Sequence, residues 1–203
     1  MPEEKNYRAA TGVDKFYYAK LGQNDLAETN PERVRFLQNI TVEMPQEPVR
    51  AYGDNQVAEI AVAAGDITVS SQFHKIPEED KSVLLGLEEQ EGIYAHGSND
   101  TPPYVAVIFA KTYEDGSTEW VGLTKGLFLR PNKSGSTKQG GVEFNPEEIS
   151  AAFMDRKVDG FSDDKSVLFG KDAKGETAKR DALFLKIFGK PYPELDDAQP
   201  EGA

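Results

Sequence analysis

Tyr104 to Ala110 reads Tyr-Val-Ala-Val-Ile-Phe-Ala, an apolar run with no polar alternation. That pattern suits a strand buried on both faces, the centre of a sheet and not its edge. Glu114-Asp115-Gly116-Ser117 follows with turn chemistry, and Thr118 to Leu129 with strand chemistry. The pair is therefore expected to form an antiparallel hairpin at the middle of the fold. Such a strand commits the chain to a layered, sheet-based architecture.

The remaining segments extend this plan. Phe16 to Leu21 is a short aromatic strand, broken by Gly22-Gln23-Asn24-Asp25. Val34 to Glu43 reads as one strand, ended by Pro45 and Pro48, which cannot donate to a ladder. From Val49 the chain reads as a strand, a Gly53-Asp54-Asn55 turn and two alternating strands. Ala58, Ile60 and Val62 share one strand face, as do Ile67, Val69 and Phe73 on the next. Opposite the latter lie Asp66, Thr68, Ser70 and Gln72, all polar and none cationic.

Two helices are expected. Pro77 with Glu78, Glu79 and Asp80 marks a helix start, and Gly86 its end. Val83, Leu84 and Leu87 supply its apolar stripe. Thr177 to Phe188 reads as an amphipathic helix with Ala178, Ala182, Leu185 and Phe188 at helical spacing, stopped by Gly189 and Pro191. Ile149 to Met154 is a further strand. The fold class is mainly β: an antiparallel β-sandwich or partly closed barrel with a short flanking α-helix and a second, C-terminal helix. Residues 1–11 are expected to be a mobile arm, 12–192 a single β domain with a flexible Gly, Ser and Lys-rich loop at 132–145, and 193–203 a disordered acidic tail.

Charge and chemistry narrow the function. The chain has 23 basic and 35 acidic residues, a net charge of −12, which disfavours gripping nucleic acid through the overall field. It contains no cysteine, so disulfides, thiolate metal sites and cysteine nucleophiles are excluded. The N-terminus, Met1-Pro2-Glu3-Glu4-Lys5, lacks the apolar core of a signal peptide, and no apolar run approaches a bilayer span, so a soluble protein made in a cytoplasm is expected. His74 and His96 have no partner at metal-ligand spacing and are expected to be surface or structural. The acidic runs Glu78-Glu79-Asp80, Asp163-Asp164 and Asp196-Asp197 show no converging carboxyl pair. Lys133 and Lys138 sit in the solvated loop. Trp120 and Phe128 are read as sharing one face of a strand, in the core, with a sugar-binding platform as the minority reading. No catalytic residue, cofactor or metal is expected.

Several segments, taken in order, resemble the major tail protein family of long-tailed, non-contractile bacteriophages, the phi-thirteen type. Gly12 to Leu21 is similar to that family's opening strand, and Ala51-Tyr52-Gly53-Asp54-Asn55 to its tyrosine and Asp-Asn turn. Ala64-Gly65-Asp66-Ile67-Thr68-Val69, the Pro77 helix with Leu84-Leu85-Gly86, Asn99 to Val107, and Ser136-Thr137-Lys138-Gln139 before Phe144 continue it over roughly residues 12 to 155.

The resemblance implies a non-enzymatic tail tube protein of the virion, synthesised in a host bacterial cytoplasm. It implies hexameric rings stacked around a channel through which DNA passes without specific binding. The partners implied are other copies of the chain, a tape measure protein and tail-end proteins, with no membrane. Asp66, Thr68, Ser70 and Gln72 then become the candidate channel or inter-subunit face. The arm, the segment from Met44 to Gly65 and the loop at 131–141 are expected to order only on assembly. The alternative is a non-catalytic carbohydrate-binding or adhesion β-sandwich, motivated by Trp120 and the tyrosines.

Overall fold

The computed structural model describes residues 8–54, 56–133 and 145–193. The apolar run is the centre of the fold. It forms β9 (Val105–Tyr113), which turns through 114–117 into β10 (Thr118–Phe128). Gly116 has φ 77 at that turn, a conformation glycine adopts without steric cost. Val105, Val107 and Phe109 point to one core, and Ala106, Ile108 and Ala110 to another, so β9 is covered on both sides as its sequence requires.

Around this hairpin the sheet runs β2 (Glu32–Val34), β1 (Ala10–Lys20), β9, β10, β11 (Glu147–Met154), β6 (Ile67–Phe73) and β3 (Leu37–Glu43). All these pairings are antiparallel. Phe16, Tyr18 and Val34 from one end of the sheet share a core with Ile40, Val69 and Phe73 from the other. The rings of Phe16 and Phe73 meet edge to face at 5.0 Å. The sheet is therefore curled into a partly closed barrel, as expected, beginning at β2 and ending at β3. The helix α1 (Glu78–Leu85) seals this interior with Leu84 and Leu85.

The second core lies outside the curl. There α2 (Ala178–Phe188) packs on β9, β10 and β12 (Val167–Asp172), the last pairing with the first half of β10. Leu183, Phe184, Ile187 and Phe188 meet Tyr17, Trp120, Ile108 and Leu168. Gly122 makes the approach possible: a Cβ there would stand 2.9 Å from Ile187. Buried Asp172 accepts the backbone N–H groups of Lys179 and Arg180 at 2.8 and 2.9 Å, supplying from β12 the cap that Thr177 does not.

Several expectations are corrected. Val34 to Glu43 is two strands, because Phe36 (φ 62) turns the chain between β2 and β3 and sends them to opposite ends of the sheet. Trp120 and Phe128 do not share a face: a register shift between Leu123 and Gly126 flips the alternation, placing Trp120 under α2 and Phe128 inside the curl. Of the expected row of α2, Phe188 is buried, but Ala178, Ala182 and Leu185 are exposed. Leu185 is 55% exposed, and the row one turn-step away is buried instead. In α1, Leu85 is buried and Val83 is exposed, while Leu87 packs at the core's margin. Of the expected arm, residues 1–7 lie outside the described residues, and Ala10 and Thr11 already belong to β1. Residues 134–144 of the expected loop and 194–203 of the expected tail also lie outside them.

Between Met44 and Gly65 the expected strand, turn and strand form a hairpin of β4 (Gln46–Gly53) and β5 (Gln56–Ala64), with β4 beginning three residues before Val49. A second small hairpin, β7 (Glu88–Gln90) with β8 (Ile93–Ala95), and strand β12 had no counterpart in the sequence reading.

Candidate assembly surfaces

The outward face of β3, β6 and β11 follows from strand alternation. Val69, Ser71 and Phe73 point inward, so Thr68, Ser70 and Gln72 point out. Register places each in a three-strand row. Thr41, Ser70 and Ser150 form a row of hydroxyls; Glu43, Thr68 and Ala152 lie to one side, and Asn39, Gln72 and Glu148 to the other. The Ser70 and Ser150 hydroxyls are 3.4 Å apart, and Thr68 donates to Glu43 at 3.3 Å. Asp66 directly precedes β6 and is exposed. From the Thr68 row to the Gln72 row the face extends about 13 Å at the usual strand rise. These three rows carry carboxylates at both ends and no cation.

The second surface is the β4–β5 hairpin. Every described residue of β5 is exposed, although Val57, Ile60 and Val62 are large and apolar. Across the ladder, Val49 faces Ala61 and Pro48 faces Val62. The expected shared face of Ala58, Ile60 and Val62 exists, yet within this chain it packs on nothing that buries it. Periodicity finds such a face but cannot say what covers it. Asp54 sits at the hairpin tip with φ 49, while Asn55 lies outside the described residues.

Both surfaces hang on a braced scaffold. Glu147, at the start of β11, accepts the N–H of Ile76 and the ammonium of Lys81, each at 2.9 Å, tying α1 to the strand beside the polar face. Burial raises the Glu147 carboxyl, but those two donors outweigh it and hold the group below its ordinary value. Lys81 also pairs with Glu78 at 3.0 Å.

The residues proposed for other chemistry are dispersed. Trp120 is 4% exposed and stacks edge to face with Phe184 and Tyr192, so it offers no platform to a sugar. His74 meets the ring of Phe36, and His96 lines a groove with Lys81, Tyr94, Arg130 and Glu147. Among the described residues no group of three or more His, Cys, Asp or Glu is arranged to hold a metal ion. Lys138 and the Asp196-Asp197 pair fall outside them. The exposed aromatics Phe36 and Phe169 escaped the sequence reading; a left-handed phenylalanine has no sequence signal, and Phe169 sits on the unanticipated β12.

A family model described as phage tail tube protein matches residues 37–153, more than half of the chain. The chain belongs to the phage tail tube protein family. The matched region runs from β3 to β11, and so contains the polar face and the exposed hairpin together. This tail tube protein is thus a structural component of a phage tail. Among solved structures it is similar to a chain of the anti-feeding prophage baseplate, determined by cryo-electron microscopy with six-fold symmetry imposed. The identity is 10%, with 82% of this chain and 97% of that one covered and a TM-score of 0.45. No curated protein matches.

Proposed function

We propose that copies of this chain close into hexameric rings, and that the rings stack into the tube through which phage DNA passes during ejection. The face of β3, β6 and β11, with Thr68, Ser70 and Gln72 and with Asp66 at its margin, lines the channel. The hairpin β4–β5 makes contacts between copies. The tape measure protein and tail-end proteins of the virion are the further partners.

The observation that carries this reading is the hairpin, a regular two-stranded element apolar on both faces and exposed at its described residues. A monomer gains nothing by displaying Val49, Tyr52, Val57, Ile60 and Val62 to water, whereas an assembling chain covers them. The cation-free rows support the channel assignment. Lysine or arginine in a bore would bind phosphate with release of counterions and slow the passage of DNA, while hydroxyls and carboxylates do not. Electron microscopy of the concentrated protein is the test. Rings and tubes are expected, and a species that stays monomeric at high concentration and with tail components contradicts the reading. Within an assembled virion, Asp66→Lys is expected to slow ejection; normal ejection removes Asp66 from the channel.

A further inference from the structure

Tyr192, four residues past the end of α2, is 6% exposed in the outer core. Its ring stands edge to face with Tyr17, Trp120 and Phe184 at 5.7, 6.0 and 5.0 Å. The Tyr17 phenol donates to its oxygen at 3.0 Å. The point at which the last segment of the chain leaves the fold is therefore fixed to β1, β10 and α2 at once.

Two cations meet at that ring. The Arg180 guanidinium, from the first turn of α2, lies 3.7 Å from its centroid. The Lys15 ammonium, from β1, lies 5.8 Å from the same centroid and donates to the phenol oxygen at 3.5 Å. Lys15 takes φ 55 where the register of β1 shifts between Asp14 and Tyr17, a left-handed backbone that a side chain adopts only at some cost. An aromatic face attracts each cation but carries no net charge, so the two still repel one another. An anion laid across both relieves that repulsion. Asp181 pairs with Arg180 at 2.8 Å, and Asp14 with Arg33 at 3.3 Å, so the carboxylates beside the ring serve one cation each in these pairs.

The sequence that follows supplies anions at the right place. Glu194 is two residues beyond Tyr192, within about 7 Å of extended backbone. Asp196, Asp197 and Glu201 come next, and residues 194–203 contain no base. Tethering at Tyr192 gives these carboxylates a high effective concentration at the two cations, which a carboxylate of another copy lacks. We propose that the acidic segment 194–203 docks on its own chain across Lys15 and Arg180, a salt-sensitive clasp that ties β1 to α2 beside Tyr192. The docked segment also turns a positive spot negative, so free phosphate and acidic partners find the site occupied.

The chain has no cysteine, so Ala198→Cys offers one attachment point for a nitroxide in the full-length protein. At low salt the label should broaden the amide resonances around Lys15 and Arg180. That broadening should be lost at about 1 M salt, where the screening length is about 3 Å. It should also be lost in Lys15→Gln with Arg180→Gln. Glu194→Gln with Asp196→Asn and Asp197→Asn should have the same effect, and leaves the core around Tyr192 unchanged should the first pair disturb folding. Broadening that is equal in the neutralised and the acidic segment overturns the clasp. So does broadening that arises between chains, seen when spin-labelled and isotope-labelled copies are mixed, because the segment then belongs to a second copy.

Discussion

Arg156 is 4% exposed, and its guanidinium donates to the carbonyls of Lys186 and Ile187 at 3.0 and 3.1 Å and to that of Asp25. It therefore satisfies the last turn of α2, where helix carbonyls lack partners and a positive charge is favoured. Arg156→Ala should lower stability by about 3 kcal/mol, since it strands buried carbonyls as well as deleting charged hydrogen bonds. Lysine, whose compact ammonium lacks the planar fork that reaches these carbonyls together, should rescue only part of that loss in urea denaturation. Glu147 makes a pH-dependent prediction. Held below its ordinary value, it contributes stability that is present above that value and lost as pH falls through the lowered one. Glu147→Gln should therefore cost about 0.5–1 kcal/mol at neutral pH, a modest figure because the pair is partly solvated. The difference from wild type should vanish in acid. An equal deficit at every pH would assign the effect to packing.

At the scale of elements, the long central strands are legible in the sequence, while the short β7 and β8, the strand β12, the break between β2 and β3 and the face each strand turns to the core are not. The apolar run of β9, the Gly116 turn and the Pro77 and Gly86 helix boundaries all stand where local chemistry puts them. Contacts distant in sequence decide the rest. Gly126 has room for no side chain, since a Cβ would fall 2.5 Å from both the Ala152 carbonyl and the Phe153 ring; the bulge beside it decides which core receives Phe128. Likewise, α2 offers two apolar rows, and only the opposing Trp120, Tyr17 and Gly122 select the one with Phe184 and Ile187. The polar alternation of Thr68, Ser70 and Gln72 was readable, but the aligned hydroxyls of Thr41 and Ser150 depend on register. Hairpin β4–β5 separates folding from assembly. Ile60→Asp with Val62→Asp should change monomer stability by less than about 0.5 kcal/mol per site, as expected for exposed positions. Sedimentation should nevertheless show that the double variant no longer assembles. A variant that assembles normally would leave the hairpin without its proposed role.

The whole molecule joins a sealed interior to surfaces that one copy leaves open. Leu84 and Leu85 close the curl, α2 covers its outer side, and β2 and β3 stand at the ends of a sheet that does not close on itself. Strand edges of this kind invite pairing with another chain, and a ring of copies removes them. The net charge of −12 opposes non-specific retention of DNA along such a tube. Cryo-electron microscopy of the assembled protein tests the central claim most directly, because it reports ring symmetry and the facing of each strand at once. The expected result is a hollow tube of stacked six-fold rings with Thr68, Ser70 and Gln72 turned to the bore and β4–β5 buried between copies. An assembly whose bore is lined by another face, with β3, β6 and β11 turned to the outside, would contradict it.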